Sequence, residues 1–222
     1  MLKVNCPNCG AEVVFRSAAL PARVCDYCRT MLVRSGDALT MLGKAAELPF
    51  DVSPVQIGTS GRFEGQGFQV IGRVRWGWTD GSWNEWLLLF DDGRDAWLGE
   101  AMGTYMLTRA RPIEEIRDRT IQQLAYGEKV PVGTEAQIDE ETFIVSDSRA
   151  ATCLAAEGEL PFSAPAGWTI HSVDFRSASG ACASLQKEGD HTDFYQGRYV
   201  TLDELKPHYL RELEGWKAPS FG

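Results

Sequence analysis

The chain has 222 residues, of which 44% are hydrophobic and 24% are charged, a composition typical of a folded globular protein. Its 22 basic and 31 acidic side chains give a net charge of −9, which opposes binding to nucleic-acid phosphates. It has no apolar run of membrane-spanning length, and residues 1–5 lack the apolar core of a signal peptide. Because two of its six cysteines look unpaired and four have metal-type spacing, we expect a cytoplasmic protein.

Two cysteine pairs, Cys6–Cys9 and Cys25–Cys28, each have the spacing Cys-x-x-Cys, and fifteen residues separate them. This is the spacing of a four-thiolate zinc site, in which two turns aim their sulfur atoms at one metal ion. Two disulfides or a dithiol redox site are the alternatives, although a redox site needs only one pair, at the start of a helix. We predict a zinc ribbon over residues 1–34. Its single zinc ion is structural, because four thiolates leave no open position for water.

Residues 35–52 are predicted to be a connector that packs on other parts of the chain, and residues 53–109 a first β-subdomain. In this subdomain, apolar and polar residues alternate over residues 68–76, and Gly72 marks a predicted bulge. Residues 86–90 are apolar on both faces, which is typical of a central strand. The pattern predicts an antiparallel meander that curls into a small barrel or sandwich.

Residues 110–129 are predicted to be a helical linker, and residues 130–222 a second β-subdomain with a short C-terminal helix that starts at a capping box from Thr201 to Glu204. The second half looks like a weaker copy of the first. Three positions match at an offset of 75 residues: Gly58 and Gly133, Phe68 and Phe143, and Val70 and Val145. Chance can produce such a match, so the repeat is a hypothesis. The predicted fold class is mainly β (β-rich α+β), with the zinc ribbon followed by two similar, small, antiparallel barrel-like or sandwich-like halves.

A longer pattern of glycine, tryptophan and acidic residues runs from Gly58 to Leu107. Its parts are Ile57-Gly58, Gly65, Phe68-x-Val70-Ile-Gly72-Arg, Trp83-Asn-Glu-Trp86-Leu-Leu, Asp91-Asp-Gly93 and Trp97-Leu98-x-Glu100, with Phe194-Tyr-Gln-Gly197 downstream. This pattern resembles a bacterial family known as domain of unknown function 4178, over roughly residues 53–205. The resemblance implies a β-rich domain, an N-terminal zinc ribbon in many members, and a role in bacterial stress or membrane-associated systems. It implies no established activity, so no catalytic residue is carried over.

Five tryptophans lie between Trp76 and Trp97, and they define a candidate binding surface. A groove lined by Trp78, Trp83 and Trp97 would suit the edge of a peptide or a sugar. The alternative is a core role, since tryptophan more often fills cores than ligand sites. In a strand, alternation would then point Trp83 to one face and Trp86 to the core. The core role is the favoured interpretation.

The remaining chemically active residues form no recognised motif. Several carboxylates sit near predicted turns and strand edges, where such residues are usually solvated: Glu85, Asp91, Asp92, Asp95 and Glu100. A cysteine nucleophile would need the fold to bring His171 to Cys153 or Cys182, and a structural role is favoured for both cysteines. His191 and His208 also lie outside any metal or nucleophile motif.

Three functions are compatible with these patterns. The first is a non-enzymatic binding or adaptor protein that docks a protein partner. The second is a nucleic-acid-associated zinc-ribbon factor, which requires a basic face on the ribbon formed by Arg16, Arg23, Arg29 and Arg34. Residues 1–48 hold six basic and four acidic side chains, and a zinc tetrathiolate adds about −2, so the ribbon has no positive excess and nucleic acid is disfavoured. The third is an enzyme with an unrecognised site.

Overall fold

In the computed structural model, residues 1–17, 19–35, 38–47, 51–217 and 219 are described, and within them the protein is mainly β, as predicted. Five strands occupy the N-terminal part: β1 (Leu2–Asn5), β2 (Glu12–Phe15), β3 (Ala22–Val24), β4 (Thr30–Ser35) and β5 (Ala38–Lys44). Five more follow: β6 (Ser60–Phe63), β7 (Gln66–Trp78), β8 (Gly81–Phe90), β9 (Asp95–Ala101) and β10 (Thr104–Ala110). The last five are β11 (Glu135–Ile138), β12 (Glu141–Leu160), β13 (Thr169–Ser177), β14 (Ala181–Glu188) and β15 (His191–Val200).

The N-terminal strands form a hairpin and a small sheet. β1 pairs with β2, and β3, β4 and β5 are neighbours in a second, antiparallel sheet. β3 also pairs with β12, through Arg23 opposite Glu159 and Ala22 opposite Leu160, so the ribbon continues the large sheet. β5 lies within the predicted connector. Residues 36–37 and 48–50 of that connector are outside the described residues, and the predicted domain boundaries stay predictions.

Eight strands of the large sheet close into a ring. Each strand pairs antiparallel with the next in the order β7, β8, β9, β10, β15, β14, β13 and β12, and β12 pairs with β7 again. The closure depends on β12, which has 20 residues. Residues 143–152 of this strand pair with β13, and residues 152–158 pair with β7. One strand therefore joins both halves of the ring.

The two halves have the same strand order. β6 to β10 form a meander in the first half, and β11 to β15 form one in the second. The first residue of β11 follows the first residue of β6 by 75 positions. The sequence predicts two small units joined by a linker, whereas the structure combines the meanders in one ring. The reason is long-range pairing of β10 with β15 and of β7 with β12, which local patterns do not report.

Three large apolar clusters, besides a small one within the ribbon around Phe15 and Leu32, occur among the described residues. One lies on the outer face of the first meander and includes Trp86, which is fully buried as predicted, and a second lies on the outer face of the other meander around Phe143. The third lies on the opposite face of the strands, where fully buried Trp76 packs with ribbon residues such as Leu20 and Met31. Because the ribbon contributes to this central cluster, its folding is coupled to that of the ring.

The helical segments are shorter than predicted. A 3₁₀ turn covers Ile113–Glu115, and a separate helix, α1 (Arg119–Ala125), begins where the Asp118 side chain accepts the backbone N–H of Ile121. Ile116 has an extended backbone, so the two segments do not merge. The predicted capping box from Thr201 to Glu204 is confirmed at α2 (Leu202–Leu205).

Two glycines allow β7 and β12 to cross closely. Gly72 lies opposite Gly158, and the register shifts between Val70 and Gly72, which confirms the predicted bulge. A Cβ atom on Gly72 would collide with the carbonyl oxygen of Glu159, and one on Gly158 with that of Ile71. Only residues without a side chain permit this contact, which helps to close the ring.

Candidate metal centre and ligand cavity

The four cysteines of the predicted ribbon converge on one point. Their sulfur atoms all lie within 4.8 Å of one another, with 3.7 Å between Cys6 and Cys28 and 3.9 Å between Cys9 and Cys25. A tetrahedral metal with metal–sulfur bonds of about 2.3 Å places its sulfur ligands about 3.8 Å apart. The cluster therefore fits a four-coordinate metal ion and could hold one.

The two cysteine turns have the same backbone geometry. In each turn, the residue after the second cysteine donates its N–H to the carbonyl of the first, Gly10 to Cys6 at 2.8 Å and Arg29 to Cys25 at 2.9 Å. Both residues have a left-handed backbone, with φ of 77° and 58°. Glycine adopts this conformation easily, whereas arginine does not. A hydrogen bond from the Arg29 side chain to the carbonyl oxygen of Ala46, at 2.6 Å, helps to offset the cost of this backbone conformation.

Hydrogen bonds lower the pKa of Cys28, one of the four clustered cysteines. The Thr30 hydroxyl lies 3.2 Å from the Cys28 sulfur, and Asn8 donates to that hydroxyl at 3.0 Å. Hydrogen bonding by Thr30 and Asn8 lowers the pKa of Cys28 to about 5. Because metals bind the thiolate rather than the thiol, this environment favours coordination.

A buried carboxylate attaches the ribbon to the ring. Glu159 of β12 is fully buried and accepts the backbone N–H groups of Arg16 at 2.8 Å and Ser17 at 3.0 Å. It also forms an ion pair with Arg23 at 3.1 Å, and Arg23 in turn contacts Asp26 at 2.6 Å. All of these groups are held in a fixed arrangement, so the metal centre has a defined position on the ring.

The positions of three ribbon arginines do not support the basic face that the nucleic-acid alternative requires. Arg23 is only 6% exposed and is neutralised by Glu159. The Arg29 side chain turns toward Ala46, and Arg34 lies over the Phe15 ring, 5.4 Å from its centroid. Of the four arginines, at least these three are engaged within the protein, because the ribbon packs on the ring instead of projecting from it.

The ring strands surround a cavity of about 430 Å³ that opens to the surface. Every one of its eight strands contributes at least one residue to the cavity wall. Trp78, Trp83 and Trp97, the three residues of the predicted binding surface, all lie on this wall. The turn between β9 and β10 forms part of the wall, and Met102 and Thr104 there are exposed. The three residues therefore line the same cavity, and a role for them in binding stays a prediction.

Aromatic rings form much of the cavity wall. The Trp78 and Trp83 rings are 5.6 Å apart, and Trp83 stacks on buried Trp76 at 6.3 Å. Across the cluster, Trp97 stacks on Phe162 at 5.9 Å. Trp83 thus has both of the roles considered from the sequence, because it packs against the core and also faces the cavity.

Two carboxyl groups face the cavity without a basic partner. Glu85 accepts hydrogen bonds from the indole N–H groups of Trp76 at 2.9 Å and Trp83 at 3.1 Å, and from Gln186 at 2.7 Å. Burial raises the pKa of Glu85, and burial also raises the pKa of Asp174, to about 6. Among the described residues, neither carboxyl group has a cation within 4.0 Å.

The one basic side chain on the wall is already engaged. Arg149 forms an ion pair with Asp147, and its guanidinium lies over the Trp78 ring, 4.4 Å from the centroid. Arg149 therefore pairs with Asp147, and neither Glu85 nor Asp174 forms an ion pair among the described residues. The cavity is aromatic and, when both carboxyls are ionised, negatively charged.

The comparison with family models decides the relationship. The model described as a domain of unknown function (DUF4178) matches residues 56–202, about two thirds of the chain and the whole of the ring. The chain belongs to this family. Neither the curated proteins nor the solved structures include a match to the chain. In the described part of the chain, no helix is both long and apolar enough to cross a bilayer.

The DUF4178 domain has a second buried polar network on the outer face of the same strands. Glu100 accepts the indole N–H of Trp86 at 2.9 Å and the Ser53 hydroxyl at 2.5 Å. Arg73 donates to Asn84 and lies over the Trp86 ring, 4.5 Å from its centroid. Arg73, Asn84, Trp86 and Glu100 all belong to the sequence pattern that resembles the family, which indicates that much of this pattern maintains the fold.

The carboxylates of the DUF4178 domain only partly follow the sequence prediction. Asp91, Asp92 and Asp95 are exposed at the turn after β8, as expected. The same expectation is wrong for Glu85, which faces the cavity, and for Glu100, which is buried. Glu85 accepts hydrogen bonds from two indole N–H groups and Glu100 from one, so the nearby tryptophans were the sequence signal for partnered carboxylates. Asp51, assigned to the connector, was missed entirely, and it pairs with three arginines: Arg73, Arg75 and Arg211.

The structure gives no support to a cysteine–histidine nucleophile. His171 lies 3.0 Å from the Ser148 hydroxyl, and none of its described contacts is with Cys153 or Cys182. Burial raises the pKa of Cys153 to about 11 and that of Cys182 to about 12. Both thiols are therefore protonated at neutral pH, as expected for structural cysteines.

Asp174 should make the stability of the DUF4178 domain depend on pH. Burial raises its pKa from 3.8 to about 6, while Ser184 and Arg149 lower it and Asp147 raises it. Between these values the folded state binds more protons than the unfolded state, so stability falls as the pH rises from about 4 to about 6. We expect Asp174→Asn to remove this fall, as measured by urea unfolding across that range. Asp190→Asn, at an exposed turn, is the control, and an unchanged slope in Asp174→Asn would contradict the assignment.

Proposed function

We propose that this protein is a non-enzymatic binding protein whose ligand occupies the interior of the ring, with a structural zinc ion in the ribbon. The observation that carries the proposal is the cavity of about 430 Å³, to which all eight ring strands contribute. Its volume is in the range of small-molecule sites, and its wall combines aromatic surface with a few polar groups, as such sites do.

Zinc is the proposed metal because of the donor set. Four soft thiolates at tetrahedral spacing suit zinc, and they leave no position for a substrate or a water molecule. Cys6 and Cys25 are buried, which is consistent with a structural site. The zinc ion would hold the two cysteine turns together, and Glu159 would transmit that order to the ring.

We also propose that the protein acts as an adaptor in a bacterial stress or membrane-associated system. The rigid attachment of the ribbon to the ring supports it, because a partner that docks on the ribbon would meet a surface of fixed orientation. A cytoplasmic location is part of the proposal, and six cysteines without a disulfide support it.

The test uses prodan, a neutral dye whose emission shifts in apolar surroundings, and a variant that fills the cavity. Gly99 lies on the cavity wall, and the nearest atoms to a Cβ added there are 3.8 Å away, so Gly99→Leu projects into free space. We expect saturable binding to the wild type and at least about a tenfold loss in Gly99→Leu. Ala150→Leu, at an exposed position of β12, is the matched control. Equal binding to Gly99→Leu, or no binding to the wild type, would reject the proposal.

An enzyme is the second candidate, and one observation favours it. Glu85 and Asp174 are carboxyl groups with raised pKa values on the wall of a cavity, which is a common property of acid–base catalysts. This candidate predicts chemical conversion of a bound compound, lost in Asp174→Asn, as followed by mass spectrometry of the ligand. Recovery of the ligand unchanged after prolonged incubation would favour the binding protein.

A further inference from the structure

We propose that the cavity binds a small organic cation, a protonated amine attached to an apolar or aromatic group. This inference rests on the proposed function and names the class of its ligand. Charge, aromatic surface and the hydrogen bonds already made inside the cavity each contribute to it.

The charge of the cavity favours a cation. The acidic residues on its wall are Glu85, Glu100, Asp147 and Asp174, and the one basic residue among the described wall residues is Arg149. The carboxyl group of Glu100 is bonded to Ser53 and Trp86 on the outer face of the strands and is not counted here. Since Arg149 pairs with Asp147, up to two negative charges are left. A ligand that carries a positive charge would compensate for them, and the attraction between charges is stronger beside partly buried carboxyl groups than in bulk water.

The aromatic wall favours an organic cation over a hydrated one. The faces of tryptophan rings attract ammonium groups, and Trp78, Trp83 and Trp97 are within the same cavity. Arg149 already makes this type of contact, with its guanidinium 4.4 Å from the centre of the Trp78 ring. The cavity thus accommodates a cation against tryptophan at one point of its wall, and the wall near Trp83 and Trp97 offers similar surface.

The hydrogen bonds of Glu85 distinguish an amine from a metal ion. A carboxylate accepts about four hydrogen bonds, and three N–H donors already occupy Glu85. A divalent metal needs several oxygen ligands, which these donors prevent. An ammonium group needs fewer, because Asp174 can accept one of its N–H groups directly while Glu85 contributes its charge. Asp174 is therefore the residue expected to contact the amine.

The experiment compares 2-phenylethylamine with its neutral counterpart 2-phenylethanol by titration calorimetry at about pH 7.5. We expect the amine to bind the wild type at least about tenfold more tightly. In Asp174→Asn the amine should lose about tenfold in affinity, whereas the alcohol should bind as before, which also shows that the cavity is intact. Gly99→Leu should block both compounds. The control Asp190→Asn removes an exposed carboxylate and should leave both affinities unchanged.

The outcomes separate this inference from the proposed function. Equal affinities for the amine and the alcohol, or an amine affinity that survives Asp174→Asn, would overturn the assignment of a cation and leave the binding cavity in place. Amine binding that persists in Gly99→Leu would place the amine outside the cavity and also overturn the inference. If neither compound nor prodan bound to the wild type, the proposed function would fail as well.

Discussion

Replacing Cys6 and Cys25 together by serine is expected to abolish metal binding and to destabilise the protein by several kcal/mol. Structural zinc contributes on the order of 10–16 kcal/mol of apparent binding free energy in small zinc domains, where binding and folding are coupled. Here the loss should extend beyond the ribbon, because Leu20 and Met31 pack in the central apolar cluster with ring residues. Elemental analysis should find one zinc ion per wild-type chain and none in the double variant, and thermal unfolding should report the loss of stability.

Cys182→Ala is the matched control for the metal. Cys182 is also a buried cysteine, but it lies in β14, outside the four-sulfur cluster. This variant should keep one zinc ion per chain even if its stability falls. Stoichiometric zinc in the Cys6→Ser, Cys25→Ser variant would show that these residues are not the ligands.

Glu159→Gln is expected to cost about 3–5 kcal/mol, because it removes one partner from a buried ion pair. The amide would leave Arg23, which is 6% exposed, with the exposed carboxylate of Asp26 as its remaining counter-charge. Its NH₂ group would also face two backbone N–H donors, those of Arg16 and Ser17. Chemical denaturation should show the change, together with easier proteolysis of the ribbon.

Glu157→Gln tests whether that effect belongs to the buried carboxylate. Glu157 lies two residues earlier in β12, and its ion pairs with Arg29 and Arg73 are longer, at 3.8 and 3.6 Å. Its side chain is 29% exposed, so the change should cost about 1 kcal/mol or less. Similar losses in the two variants would mean that the attachment of the ribbon does not depend on Glu159.

The sequence predicted best what depends on neighbouring residues. The Cys-x-x-Cys spacing identified the four sulfur atoms that converge, and alternation identified the strands around Gly72 and the buried position of Trp86. Such features follow from local backbone geometry. The spacing within a Cys-x-x-Cys turn brings its two sulfur atoms together, and side chains in a strand alternate between its two faces. The capping box at Thr201 belongs to the same class.

The sequence did not predict features that depend on contacts between residues far apart in the chain. The ring closes because β12 pairs with both β13 and β7, and the sequence of β12 alone does not indicate two partners. The face of a strand that meets the cavity is likewise decided by the closed ring. For this reason Glu85 was expected in solvent, and a groove lined by Trp78, Trp83 and Trp97 was only a candidate beside the favoured core role. Arg23 was assigned to a basic face because its partner, Glu159, lies 136 residues away.

The central claim is that the interior of the ring is a binding site for an organic cation. Its most direct test is a crystal structure of the protein with 2-phenylethylamine at a saturating concentration. We expect one amine molecule inside the ring, with its ammonium group beside Asp174 and its phenyl group against Trp83 or Trp97. A crystal structure with the amine only on the outer surface, or with the cavity filled by the protein's own side chains, would contradict it.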